Sequence, residues 1–238
     1  MKKNISFAKY KRSNVYTDPK PNDPKYIFTV ISDMIKQDYN ADNANFLDIG
    51  GANGDFSNYI QSTFPKFKTT CLEPSKNLIK IGKKYNKKVY FINGNTETLS
   101  QFEDKKYNFV TAIGLIGILD SLENFLTESL RILKENGSLF ICENFNDYNI
   151  DVITRYKRND EKEWNTGQNI HSKNTIKEIL KDYKNIKIEF KKITLPFDLK
   201  KNINDPVRSW TEKNHDEVRE LRNGLGYLIN LEVAKIKK

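Results

Sequence analysis

Phe46-Leu47-Asp48-Ile49-Gly50-Gly51-Ala52-Asn53-Gly54-Asp55-Phe56 reads as strand, tight turn and the start of a helix. Phe46, Leu47 and Ile49 bracket Asp48 with apolar side chains, a Gly-rich turn follows at once, and residues 55–62 continue with helical spacing. Glycines let the backbone turn sharply and come close to a ligand. The helix start offers unpaired N–H groups and a partial positive charge. A dinucleotide turn wants G-x-G-x-x-G, with the third glycine admitting a pyrophosphate. The register here is Gly50, Ala52, Asp55. A carboxylate at that third place repels a pyrophosphate, and Asp48 suits a cationic ligand better.

Outward from this turn the chain alternates strands and helices. Residues 69–73 form a second strand ending in Glu73, Pro74 breaks it, and Ser75 caps a helix over 76–84. Glu73 lies about 20 residues past the turn, where an acid accepts hydrogen bonds from ribose hydroxyls. Residues 89–92 are a third strand and 107–114 a fourth. A helix over 121–134, with Gly137 as its C-terminal cap, leads to a fifth strand at 138–143. Upstream, Ile27, Val30, Ile31, Met34 and Ile35 recur at helical spacing over 24–38. Downstream, residues 186–190 and 227–233 alternate as two strands. They are separated by an insert, 196–225, longer than an ordinary hairpin loop.

These pieces together resemble the class I S-adenosylmethionine-dependent methyltransferases, whose first motif is D-x-G-x-G/A-x-G. The resemblance covers residues 44–145 and extends to the last two strands. It implies an α/β fold: a Rossmann-like, doubly wound seven-stranded sheet with an antiparallel last strand and helices on both faces. It implies S-adenosylmethionine as cofactor, S-adenosylhomocysteine as product, and no metal. Asp48, Gly50, Gly51, Ala52, Asn53 and Gly54 would hold the cofactor at the turn, Glu73 and Pro74 at the ribose. Asn95 and Thr96 match the family's G-D-A-E-x-L element, with Asn95 in place of the acid that holds the adenine amino group. Ile113 and Gly114 would lie under the methionine end. The family's usual acid in the fourth strand is Asn108 here, and the following loop lacks a His pair, so no base is placed there. A D/N/S-P-P-Y/F element, a Pro-Cys nucleophile and an Asp…Asp-Asn metal cluster are all missing. That leaves a small-molecule branch acting on oxygen, similar to enzymes of bacterial surface-polysaccharide gene sets.

Among 238 residues, Lys and Arg total 40 against 31 Asp and Glu, a formal net charge of +9. The excess is scattered over Lys-rich helix faces. Read functionally, it points to an anionic small molecule such as a phosphorylated or nucleotide-linked sugar or a phosphoramidate precursor. Nucleic acid is not the expected partner. An RNA methyltransferase, a nucleotide-dependent oxidoreductase and a non-catalytic cofactor-binding module are the rival readings. Cys71 and Cys142 sit in apolar runs as buried thiols of a reducing compartment, and no Cys/His spacing suits a metal. With no leader-like or membrane-spanning run, the expectation is a cytoplasmic monomer or homodimer.

The expected organisation is a lid segment and helix at 1–43 and a cofactor-binding domain at 44–238, with a specificity loop at 144–171 and the insert at 196–225. Ligands of such sheets lie outside the carboxyl ends of the strands. His171, His215 and Glu143 are therefore the candidate catalytic residues, with His titrating nearest neutral pH. Tyr10, Arg12, Tyr16, Tyr148, Arg155, Arg208 and Trp210 are the candidate substrate contacts, the arginines for an anionic group.

Overall fold

The computed structural model describes residues 16–19, 23–38, 43–205 and 207–238. Tyr10 and Arg12 lie outside the described residues. A helix, α1 (Tyr26–Asp38), precedes the alternating core: β1 (Asn45–Ile49), α2 (Asp55–Thr63), β2 (Lys68–Glu73), α3 (Lys76–Tyr85), β3 (Tyr90–Asn93), β4 (Tyr107–Ile113), α4 (Glu123–Ile132) and β5 (Leu133–Asn146). Three short strands follow, β6 (Arg155–Tyr156), β7 (Asn165–Thr166) and β8 (His171–Ser172). Then come α5 (Lys173–Leu180), β9 (Lys187–Lys192), β10 (Trp210–Lys213), β11 (Arg219–Arg222), β12 (Leu228–Ile229) and β13 (Leu231–Lys237).

The main sheet runs β3-β2-β1-β4-β5-β13-β9, with β8 paired to β5 off this path. The strands from β3 to β5 are parallel, and β13 is antiparallel to both β5 and β9. Strand order reverses between β1 and β4, which opens a crevice at their carboxyl ends.

Alternation along the strands divides the core into two faces. Phe46, Phe109, Phe140 and Val233 pack with Phe28, Ile31, Phe56 and Ile60 of α1 and α2. Leu47, Val110, Leu139 and Ala234 pack with Phe125, Leu126 and Leu130 of α4 and Ile176 of α5. Helices therefore cover both faces, and burying each large apolar side chain contributes about 1.5–3 kcal/mol. Asp38 ties the end of α1 to the sheet, accepting from Ser138 Oγ at 2.9 Å and Lys235 Nζ at 2.5 Å. Among the described residues no helix is long and apolar enough to cross a membrane.

Three local expectations shift. The helix before β5 ends at Ile132, with Leu133 already extended. The left-handed residue of the following turn is Asn136 (φ 62°) rather than Gly137, so Gly137 does not cap the helix. The insert folds as its own antiparallel sheet, β10-β11-β12. The alternating run at 227–233 accordingly splits at Asn230, whose N–H donates to Asn144 Oδ1 at 2.8 Å, so Leu228 and Ile229 pair with the insert and residues from Leu231 with the main sheet.

Candidate active site

A cavity of about 540 Å³ opens at the carboxyl ends of β1, β2, β4 and β5. The Gly-rich turn forms its floor. The N–H groups of Gly50 and Gly51 donate to Leu72 O at 2.8 and 3.3 Å, fastening the turn to β2. A Cβ on Gly51 would stand 2.5 Å from Asp48 Oδ2 and 2.6 Å from Cys71 Sγ, so no larger residue fits there. Asp48 is 1% exposed. Its Oδ2 accepts from Ser57 Oγ and its Oδ1 from Thr111 Oγ1, both at 2.9 Å. Burial pushes its carboxyl up to about 7, against the pull of those two hydroxyls. Asp48 borders the cavity, but its nearest partners are the chain's own hydroxyls.

Glu73 stands at the end of β2. Its Oε2 accepts from Ala52 N at 3.0 Å and its Oε1 from Ser75 N at 2.8 Å, which orients the carboxylate at the cavity wall. Burial raises its pKa, and these N–H groups oppose the rise. A carboxylate oxygen accepts more than one hydrogen bond, so capacity remains for ligand hydroxyls. Asn53 lines the cavity beside it; its Oδ1 accepts from Asp55 N at 3.1 Å, while the buried Nδ2 has no partner among the described residues.

Glu143, near the end of β5, is the cavity's other carboxylate anchor. Oε2 accepts from Gly117 N at 3.1 Å and Oε1 from Asn144 N at 3.2 Å. Burial pushes it up to about 7. Ile113, Leu115, Ile118, Cys142 and Leu231 line the same cavity, so its apolar surroundings explain the shift. Gly114 adopts a left-handed conformation (φ 65°), and the place where its Cβ would stand is empty to 4 Å, leaving room that a side chain would fill.

Of the residues expected at the cofactor, Asp48, Gly50, Gly51, Ala52, Asn53, Glu73, Pro74, Ile113 and Gly114 line the cavity. Gly54, Asn95 and Thr96 are not in the lining. Asn95 instead caps a 3-10 turn over Thr96–Gln101, accepting from Glu97 N at 3.0 Å, so its carbonyl is engaged within the chain. Of the catalytic candidates only Glu143 reaches the cavity. His171 is 1% exposed, and its Nε2 lies 3.2 and 3.0 Å from the carbonyls of Ile116 and Leu119. Carbonyls only accept, so Nε2 carries the proton and serves the loop rather than a ligand. His215 is exposed on the insert beside Asp216.

Of the substrate candidates Tyr16 lines the cavity. Tyr148 is 76% exposed. Arg155 pairs with Asp120 at 2.6 Å, Arg208 is exposed, and Trp210 is buried within the insert, donating to Glu212 Oε1 at 2.8 Å. None of these four lines the cavity. Sequence reasoning missed Lys25, Ile27 and Phe28 at the start of α1 and Leu231 in β13. Their helical or alternating pattern reads as core, and only the folded topology brings them to the crevice. Among the described residues no group of three His, Cys, Asp or Glu side chains is placed to hold a metal.

The cavity's volume lies within the ordinary range for small-molecule sites. Glu73 and Glu143 are three strand spacings apart across the sheet, roughly 14 Å at about 4.8 Å per strand. Room of that length, an oriented carboxylate at Glu73, a spare donor at Asn53 and an acid-rich wall suit an extended polar ligand bearing positive charge.

A family described as "Methyltransferase domain" matches residues 22–184. A Listeria monocytogenes structure assigned as an S-adenosylmethionine-dependent methyltransferase is similar at 12% identity and TM-score 0.61, over 89% of this chain and 98% of that one. A SAM-dependent methyltransferase from Methanosarcina mazei is similar at 16% identity and TM-score 0.57, over 86% and 96%. Identities this low establish the fold alone. The chain spans about half the length of two other structures it matches, from Methanococcus maripaludis (54%) and Galdieria sulphuraria (47%). No curated protein shows significant similarity to it. With the family match running over more than half its length, the chain belongs to the methyltransferase-domain family.

Proposed function

We propose that the chain methylates a small molecule at the apolar end of this cavity, with Glu143 as the group that takes the acceptor's proton. The observation that carries this reading is the single cavity joining Glu73 at β2 to Glu143 at β5 across the Gly-rich turn. S-adenosylmethionine supplies a methyl group on a sulfonium. Glu73 would hold the ribose hydroxyls and the backbone of Gly50–Asn53 would face the nucleoside. Ile113 and Gly114 leave space for the methionine portion. The apolar wall around Glu143 excludes water from the reacting atoms and keeps its carboxyl near neutral pH, where it can both take and release a proton. Residues 44–238 form the catalytic domain in this reading. Among the described residues ahead of it, Tyr16, Lys25 and Phe28 line the cavity and cover it in this reading.

The finer expectation was O-methylation of an anionic surface-polysaccharide precursor. Its support is the net charge of +9. Of the arginines expected to grip an anion, Arg155 and Arg208 give it none, because they do not line the cavity, and Arg12 lies outside the described residues.

Glu73→Ala should weaken S-adenosylhomocysteine binding by about 1–3 kcal/mol, the cost of losing a charged hydrogen-bond partner. Calorimetry on purified protein measures it. Wild-type affinity in the variant would remove Glu73 from the cofactor site.

A further inference from the structure

We infer that the methyl acceptor is an amine, received as its ammonium against Glu143. This deepens the methyltransferase reading and rests on it. Apart from Asp48, which burial holds toward its neutral form, the charged groups lining the cavity, among the described residues, are Asp55, Glu73 and Glu143 against Lys25. In a low-dielectric site such a set draws cations and repels a phosphate or phosphosugar. Around Glu143 the wall is apolar: Ile113, Leu115, Ile118, Cys142 and Leu231. The backbone donor facing that carboxylate from the loop after β4, Gly117 N–H, is already bound to it, so it is not offered to an anion. One carboxylate set in an aliphatic box is a receptor for an alkylammonium, which gains both an ion pair and burial of its carbon skeleton.

Base strength points the same way. An alkylammonium resembles a lysine, which loses its proton near 10.4, whereas an unactivated hydroxyl loses its proton closer to the 15.7 of water. A carboxyl raised to about 7 is therefore short by about three powers of ten for the ammonium and about nine for the alcohol. A phenol matches the ammonium in acidity, but its conjugate anion would be held against the acid-rich wall. In the step itself, Glu143 carboxylate takes one proton from R–NH3+, giving R–NH2 and a neutral carboxyl. The nitrogen lone pair then forms the N–CH3 bond as the C–S bond breaks, its electron pair passing to sulfur. The products are R–NH2–CH3+ and a neutral thioether, and Glu143 returns its proton to water.

The test is calorimetry on the S-adenosylhomocysteine-loaded protein with three small probes of different chemistry: phenethylamine, p-cresol and glucose 6-phosphate. Transfer of labelled methyl from S-adenosylmethionine to each probe runs in parallel. Phenethylamine should bind at least tenfold more tightly than the other two and take up label. Glu143→Gln should weaken its binding at least tenfold while S-adenosylhomocysteine affinity is unchanged, which also shows that the variant is folded. Should p-cresol or glucose 6-phosphate bind or accept label as well as phenethylamine, or should Glu143→Gln bind phenethylamine like wild type, the amine inference is overturned and the methyltransferase reading stands. Failure of wild type to bind S-adenosylhomocysteine would overturn both.

Discussion

At the scale of single residues, Asp48 shows how a motif acid can serve the turn as much as a ligand. Its carboxyl ordinarily titrates at 3.8 and is held up to about 7 in the folded chain. The folded state therefore keeps a proton that the unfolded state has lost between these values. The sign follows: this contribution to stability is full below about pH 3.8 and is lost as pH rises to about 7, at most about 1.4 kcal/mol per pH unit. Asp48→Asn should remove that dependence. In urea unfolding at several pH values, wild type should lose stability relative to the variant from pH 4 to 7, and parallel curves would show that Asp48 is not held neutral. The residues of the turn were legible in the sequence because a strand, two glycines and a helix start are local signals. The engagement of Asp48 by Ser57 and Thr111 was not, since Thr111 reaches it only through the β1–β4 pairing.

Among elements, the loop after β4 is the part that sequence reasoning left blank. It contains a 3-10 turn, Ile116–Ile118, held from several sides. Asn169 donates its N–H to Gly117 O at 2.8 Å and its Nδ2 to Leu119 O at 2.8 Å, and His171 Nε2 serves Ile116 and Leu119. Gly117 in turn presents its N–H to Glu143. His171 thus reaches the cavity only through this loop. His171→Ala removes one of the two donors at each of the Ile116 and Leu119 carbonyls and leaves a void beside them, and should cost about 2–4 kcal/mol of stability, most of it from the void. The urea midpoint reads this, and an unchanged midpoint would mean that the loop stands without the histidine. A histidine ahead of a helix attracts a catalytic reading because its titration suits one. Its burial depends on β8 pairing with β5, which no local pattern announces. The helices and parallel strands, by contrast, were readable from apolar spacing alone. The boundary errors fell where a turn residue could act in two ways, as at Asn136 and Gly137.

Over the whole molecule, the insert and the loop after β5 form one cap. Thr154 Oγ1 meets Tyr227 OH at 2.7 Å, Asn223 Nδ2 donates to Gln168 Oε1 at 3.3 Å, and Phe197 packs edge-on against Tyr26 of α1. Among the described residues, none of 196–225 lines the cavity. Trp210→Ala should therefore speed amide hydrogen exchange through β10–β12 while leaving S-adenosylhomocysteine affinity at the wild-type value; lost affinity would show that the cap supports the cofactor end. The reversed strand carries a consequence for how the chain is made. Among the described residues, β9 finds its main-sheet partner in β13 alone, which follows it beyond the whole insert. On a ribosome, β9 must emerge and wait with both hydrogen-bonding edges open while the insert is synthesised. Lys187, Lys191 and Lys192 give that waiting segment a charge that discourages pairing with the wrong neighbour until its intended one arrives.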